Sequence, residues 1–183
     1  MIEVEVKLRL KNSPEETLLQ LGFCRGDVIR ESDTYLDDRK QSIRMDGEAL
    51  RIREIQSLTD DRSQAVITFK GKKLDRVTMT RKELETEVGS AVIAEQLLAA
   101  LGYRAVEPRV VKTREHYHRR NMNVCLDHVE GLGDFLELEL VIPEDQDQEK
   151  AMEEIEDVME SLGYDMTDSI TNSYLSMLQG LQD

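Results

Sequence analysis

Glu3, Glu5 and Lys7 stand at alternate positions near the start of the chain. On an extended strand that spacing puts all three on one face and leaves Ile2, Val4, Val6 and Leu8 on the other. The design returns along the sequence: Arg51 with Arg53, Lys70 with Lys72, Arg81 with Glu83 and Glu85, Lys112 with Arg114, then Asp127, and Glu137 with Glu139. Clustered carboxylates bind hard divalent cations such as Mg2+ or Mn2+ through oxygen, and those ions bridge to substrate phosphates. Lysine and arginine neutralise phosphate oxygens, arginine in a bidentate fork. Acid and base together therefore read as a site for metal and polyphosphate, where positioning and charge stabilisation carry the chemistry. Neither a Ser-His-Asp constellation nor a GxxxxGKS/T loop is visible.

To act as one site, these residues must lie on strands that share a space. Alternation predicts strands over 1–10, 23–37, 48–55, 63–71, 77–88, 104–118, 121–129 and 134–142, mostly joined by short links. That pattern implies an antiparallel meander able to close on itself. A first helix is expected with Ser13 as cap, Pro14 at its first position and Glu16 completing a capping box. A second follows Ser90, where Val92, Ile93, Leu97, Leu98 and Leu101 recur at helical spacing, and two more are expected over 147–162 and 168–179. If the apolar strand faces packed together, the helices would have nothing to cover. Closing the sheet with charge inward gives them an apolar outer wall. The predicted fold is α+β, an eight-stranded antiparallel closed β-barrel with helices packed outside. Each enclosed ion costs several kcal/mol unless paired, so opposite charges must compensate one another across a wet lumen.

Composition narrows the partners. The 183 residues suit one domain over 1–183. A net charge of -14 argues against nucleic-acid and anionic-membrane surfaces. No apolar run is long enough to span a bilayer, and Glu3 and Glu5 stand where a signal peptide would be apolar, so a cytoplasmic protein is expected. Cys24 and Cys125 are isolated and read as packing residues. His116 and His118 share a strand face, but two ligands do not make a zinc site. The acidic run over 145–160 reads as a solvated helix face. The polar stretch 38–46, ending in Asp46-Gly47, is either a lid over the lumen or a solvated connection.

Glu3-Val4-Glu5-Val6-Lys7 resembles the ExExK signature of the CYTH, or triphosphate tunnel metalloenzyme, superfamily, which includes class IV adenylate cyclases, thiamine triphosphatases and tripolyphosphatases. The resemblance runs the length of the chain, through Asp33 to Asp37, Leu50-Arg51-Ile52-Arg53, Thr68-Phe69-Lys70-Gly71, Arg81 to Glu85, Lys112-Thr113-Arg114, Asp127, Phe135 to Glu139 and Ser173-Tyr174-Leu175. It implies a barrel that binds a triphosphate along a basic wall, with Mg2+ or Mn2+ held on an acidic one. Glu3, Glu5, Glu137 and Glu139 then match the principal metal positions, with Glu85 and Asp127 in support. Lys7, Arg51, Arg53, Lys70, Lys112 and Arg114 match the phosphate-binding positions, with Lys72 and Arg81 in phase. Glu5, Lys7 and Arg53 are the expected catalytic residues, although Lys7 either orients the nucleophile or pairs with Glu3 or Glu5. The general pattern is most similar to the cyclase branch, which converts ATP to cyclic AMP and pyrophosphate and implies a homodimer. Hydrolysis of tripolyphosphate or thiamine triphosphate is the alternative, and a polyphosphate or nucleotide sensor without turnover is a third. Tyr35, Tyr117 and Tyr174 are candidates for stacking on a base.

Overall fold

The computed structural model describes residues 2–73, 81–143 and 147–180. Eight strands, β1 (Ile2–Arg9), β2 (Cys24–Asp37), β3 (Ala49–Ser57), β4 (Ser63–Lys73), β5 (Arg81–Val88), β6 (Arg104–Arg119), β7 (Met122–Val129) and β8 (Gly133–Ile142), close into a barrel. The order around it is β1-β5-β4-β3-β2-β6-β7-β8, and every neighbouring pair is antiparallel. The expected meander holds from β2 to β5 and from β6 to β8. It fails at β1, which pairs with β8 and β5 and so closes the ring. Residues 77–80 of the expected strand over 77–88 lie outside the described residues.

Charge faces inward and most of the oil is outside, apart from a smaller cluster in which Val110, Val129 and Phe135, in phase with the inward charges, meet Tyr174 and Leu175. Ile2, Val4, Val6 and Leu8 of β1, Met122 and Val124 of β7, and Leu136, Leu138, Leu140 and Ile142 of β8 form a buried layer on the outer wall. Helix α4 (Gln148–Ser161) covers it with Ala151, Ile155, Val158 and Met159. Its polar opposite face is solvated, as an amphipathic helix requires. Helix α3 (Ala91–Ala100), capped by Ser90 accepting from the Ile93 amide, lays Ala91, Ala94 and Leu98 over Leu36 and Ile52. Ile93, Leu97 and Leu101 of that segment remain exposed.

Three local expectations are corrected. Helix α1 (Glu15–Gln20) starts after Pro14, with no side-chain cap, because the Leu18 amide donates to the Pro14 carbonyl and leaves Ser13 outside. Within the polar stretch 38–46 a one-turn helix, α2 (Ser42–Met45), forms because Asp37 accepts from the amides of Ile43 and Arg44 while Asp38 accepts from those of Lys40 and Ser42. Gly47 follows at φ 74, a conformation that costs glycine no steric strain. The helix expected over 168–179 is a 3-10 turn at Met166–Asp168, an extended strap, and a short α5 (Tyr174–Leu178). The strap bonds across to β1, where the Ile170 amide donates to the Lys7 carbonyl at 2.8 Å. Its Ser, Thr and Asn residues favour such caps and extended turns over helix interiors.

The apolar outer layer predicts where stability resides. Leu138→Ala, at 0 % exposure under α4, is expected to lower the unfolding free energy by about 3 kcal/mol in urea titration. Leu97→Ala, at 61 % exposure, is expected to change it by no more than about 0.5 kcal/mol. Equal effects would contradict this placement of the core.

Candidate active site

Seven of the eight strands, all but β7, send charged residues into the lining of a cavity of about 530 Å³. Its wall includes Glu3, Glu5 and Lys7 of β1, Asp33 of β2, Arg51 and Arg53 of β3, Lys70 of β4, Arg81, Glu83 and Glu85 of β5, Lys112 and Arg114 of β6, and Glu137 and Glu139 of β8. Alternation on each strand selects these residues, and the closed register brings them within reach of one another. Tyr35, Leu50, Val106 and Leu175 add an apolar margin, and α2 contributes Ile43 and Arg44.

The basic residues differ in how fully they are engaged. Arg53 is held by a fork to Asp33, with Nε–Oδ1 at 2.6 Å and Nη2–Oδ2 at 2.7 Å, while its Nη1 donates to Glu31 at 2.9 Å. Arg114 forms a second fork to Asp127 and also donates to Glu137 and Glu139. Lys112 donates to Asp127 at 2.8 Å and lies 3.3 Å from Glu31. Arg51 is less satisfied: its Nη2 reaches Thr68 at 3.3 Å, Asp33 is 3.7 Å away, and its buried Nε has no hydrogen-bond partner. An unsatisfied buried donor costs about 1–3 kcal/mol, which an incoming phosphate oxygen would remove. Burial raises the carboxyls of Glu31, Asp33 and Glu137, but the surrounding cations outweigh it and hold all three below the ordinary carboxylate range.

The opposite holds on the other wall. Glu5 and Glu139 are directly opposed in the β1–β8 register, with Glu3 two residues along the same face. Like charges so placed repel unless something lies between them. Burial pushes Glu3 up to about 8 despite Lys70, aided by Glu139, Glu83 and Glu5. Burial likewise pushes Glu139 up to about 7 despite Arg114, with Glu137 and Glu5 adding to it. Glu3 and Glu139 thus keep their protons to higher pH than free carboxyls, and as clustered oxygen donors beside Glu5 they would suit Mg2+ or Mn2+, which binds by displacing those protons. In the arrangement seen, no three His, Cys, Asp or Glu side chains among the described residues converge closely enough to hold an ion, so binding requires these carboxylates to reorient about it.

Three expected site residues sit away from the Glu3, Glu5 and Glu139 group: Lys72 and Glu85 line other parts of the cavity, and Asp127 is taken up by Lys112 and Arg114. Lys72 is exposed and pairs with Asp46 at 3.6 Å at the cavity mouth. A one-residue bulge between Lys70 and Lys73 in the β4–β5 register reverses the alternation, and the half-buried Lys73 donates to the Thr171 carbonyl at 2.6 Å. Glu85 accepts from Thr68 and lies four positions along β5 from Arg81, the partner of Glu3, a separation of about 13 Å. Asp127 is wholly engaged by Lys112, Arg114 and the Tyr174 hydroxyl, and serves to hold cations in place. Conversely, Glu31 was legible as an alternate neighbour of Asp33 but carries no motif. Asp33 itself is the anchor of Arg53. His116 is half-buried, its imidazole lowered by burial and Arg114, and its Nδ1 lies 3.2 Å from the Asp27 carbonyl.

These shifts fix a pH dependence. Glu3 and Glu139 hold protons in the folded state that the unfolded chain, near 4.5, has released, so their contribution destabilises the fold as pH rises through 7 to 8. Glu31, Asp33 and Glu137 have depressed values, so their stabilisation is present above 4.5 and 3.8 and is lost on acidification. With a chelator, the melting temperature is expected to fall between pH 6 and 8.5. Mn2+ at about 100 times its Kd should stabilise by about 2.7 kcal/mol, and more tightly at higher pH because it displaces protons. A Tm that rises from pH 6 to 8.5 without metal would contradict the assignment.

Comparison with known proteins agrees with this architecture. Residues 1–174 match the CYTH domain model. A protein of Methanocaldococcus jannaschii that carries the provisional name adenylate cyclase is 35% identical over 183 residues, spanning 99% of this chain and 100% of its own. The solved structure of the PH1819 protein from Pyrococcus horikoshii superposes with a TM-score of 0.86 at 31% identity, covering 97% of this chain and 98% of that one. A Hippeastrum protein, provisionally called an adenylyl cyclase and described as having dominant triphosphatase activity, shares the fold with a TM-score of 0.69 at 18% identity, over 98% of this chain and 96% of its own. With its barrel, its opposed charged walls and a family match over nearly its whole length, this chain belongs to the CYTH domain family.

Proposed function

We propose that this protein is a metal-dependent enzyme acting on a triphosphate inside the barrel, and that its reaction is conversion of ATP to cyclic AMP and pyrophosphate. The observation that carries the reading is the clustering of the Glu3, Glu5 and Glu139 carboxyls in the same cavity as Arg51, whose buried Nε lacks a hydrogen-bond partner. Mg2+ or Mn2+ held by those carboxylates supplies charge neutralisation and Lewis acidity to the phosphate oxygens. Arg51, Lys70, Lys112 and Arg114 bind the phosphates, while Arg53 is kept in place by Asp33 and Glu31. Lys7, near Glu5 and Glu137, orients the reacting end of the substrate.

In the cyclase reaction the ribose 3'-hydroxyl attacks the α-phosphorus, its proton is lost, and pyrophosphate departs. Two observations support an organic triphosphate: the similarity to a protein named as a cyclase, and the apolar margin of Tyr35, Leu50, Val106 and Leu175 beside the charged wall. A second reading, hydrolysis of tripolyphosphate or thiamine triphosphate, has the activity described for the Hippeastrum protein in its favour. It uses the same walls with water as nucleophile.

Incubation with ATP, tripolyphosphate or thiamine triphosphate and Mg2+ or Mn2+, followed by separation of cyclic AMP, pyrophosphate and orthophosphate, tests both. Cyclic AMP with equimolar pyrophosphate is the expected result, and orthophosphate without cyclic product would establish the second reading. Arg51→Ala is expected to lower kcat/KM about 10- to 100-fold with unchanged folding. Full activity in that variant would remove Arg51 from the site.

A further inference from the structure

The C-terminal strap leads into the site, which Ser173 to Ser176 help to line. Three contacts fasten it to Lys7: the Ile170 amide donates to the Lys7 carbonyl, the Lys7 ammonium donates to the Asn172 carbonyl at 3.3 Å, and the same ammonium lies 4.5 Å from the centroid of the Tyr174 ring. The ion pairs of Lys7 are looser by comparison, at 3.5 Å to Glu137 and 3.9 Å to Glu5. Lys112 stands 5.1 Å from the same ring. Tyr174 is 7% exposed and lines the cavity, its ring edge-on to Phe135 at 5.0 Å and its hydroxyl donating 3.0 Å to Asp127. Ser173 caps the helix that presents it, accepting from the Ser176 amide.

From this geometry we infer that Tyr174 is a positioning residue, whose ring face holds the Lys7 and Lys112 ammonium groups in the orientation that receives the phosphate chain of the substrate. A ring face attracts a cation without neutralising its charge or occupying its hydrogen-bond donors with a carboxylate. Lys7, whose carboxylate neighbours stand at 3.5 and 3.9 Å, therefore stays oriented yet available to phosphate oxygens, while Lys112 is held by Asp127 at 2.8 Å as well as by the ring. The hydroxyl contributes separately, by fixing Asp127, and the two contributions can be taken apart. The inference rests on the triphosphate reading of the cavity.

The test compares Tyr174→Phe, which keeps the ring, with Tyr174→Leu, which removes it, and Tyr174→Met as a second ringless variant should leucine not fold. The probe for binding is inorganic tripolyphosphate with Mg2+ in a calorimeter, read beside kcat and KM for ATP and beside Tm. The phenylalanine variant is expected to bind and turn over within about twofold of the parent, while the ringless variants bind tripolyphosphate about tenfold more weakly at a Tm that still shows a folded protein. Binding within twofold in a folded ringless variant would overturn the inference. So would a phenylalanine variant as impaired as the leucine one, since that assigns the role to the hydroxyl. If the parent protein itself binds no tripolyphosphate, the triphosphate reading fails first, and the inference with it.

Discussion

An ion taken out of water costs several kcal/mol unless a partner compensates it, and each of the eight strands turns at least one ion inward. That requirement shapes everything else in the molecule. Forks such as Arg53 on Asp33 and Arg114 on Asp127 satisfy it locally, each basic strand residue finding its acid on the neighbouring strand. Since most of the inside is committed to charge, the larger part of the hydrophobic core lies outside, between the barrel wall and α4 and α3, while a smaller cluster of Val110, Val129 and Phe135 packs against Tyr174 and Leu175 of α5. The helices are thereby required, because without them the apolar outer face of β1, β7 and β8 would meet water.

Compensation is uneven, and the unevenness locates the chemistry. Where cations crowd, at Glu31, Asp33 and Glu137, carboxyls are held below their ordinary range. At Glu3 and Glu139 burial and the neighbouring carboxylates outweigh Lys70 and Arg114, and the carboxyls rise toward 8 and 7. One wall is thus largely compensated by its own ion pairs. The other keeps protons that an added cation would displace, and Arg51, lining the same cavity, carries a donor with no acceptor. A fold made solely for stability would have little reason to leave both.

Much of this was legible in the residues. Alternation at Glu3, Glu5 and Lys7 and again at Glu137 and Glu139 gave the charged face, and the choice to turn it inward followed from the need to cover Val92 to Leu98 and the last helix. What escaped was non-local. The place of β1 between β5 and β8 depends on pairings more than seventy residues distant in sequence. Residues 169–173 read as helix because their real partner, the Lys7 carbonyl, lies across the barrel. Lys72 reads as a residue deep in the wall but lines only the exposed mouth of the cavity, because the bulge beside it is set by the partner strand and leaves no mark in its own sequence. Glu31 was missed although its phase with Asp33 would have found it.

That bulge also shows what kind of change in length this barrel can absorb. Inside and outside are separated only by odd and even, so a single residue added in mid-strand would turn every later charge into the oil and every later leucine into the lumen. A pair of residues would leave the sorting intact. The surplus between the Asp33–Val110 and Tyr35–Val106 partners is of this kind: β2 advances by two while β6 advances by four, and both walls keep their chemistry. The odd insertion in β4 comes only at its far end, where Lys72 and Lys73 are the residues left to exchange. Divergence in strand length across such a barrel should therefore run in even steps, with odd ones confined to the rims.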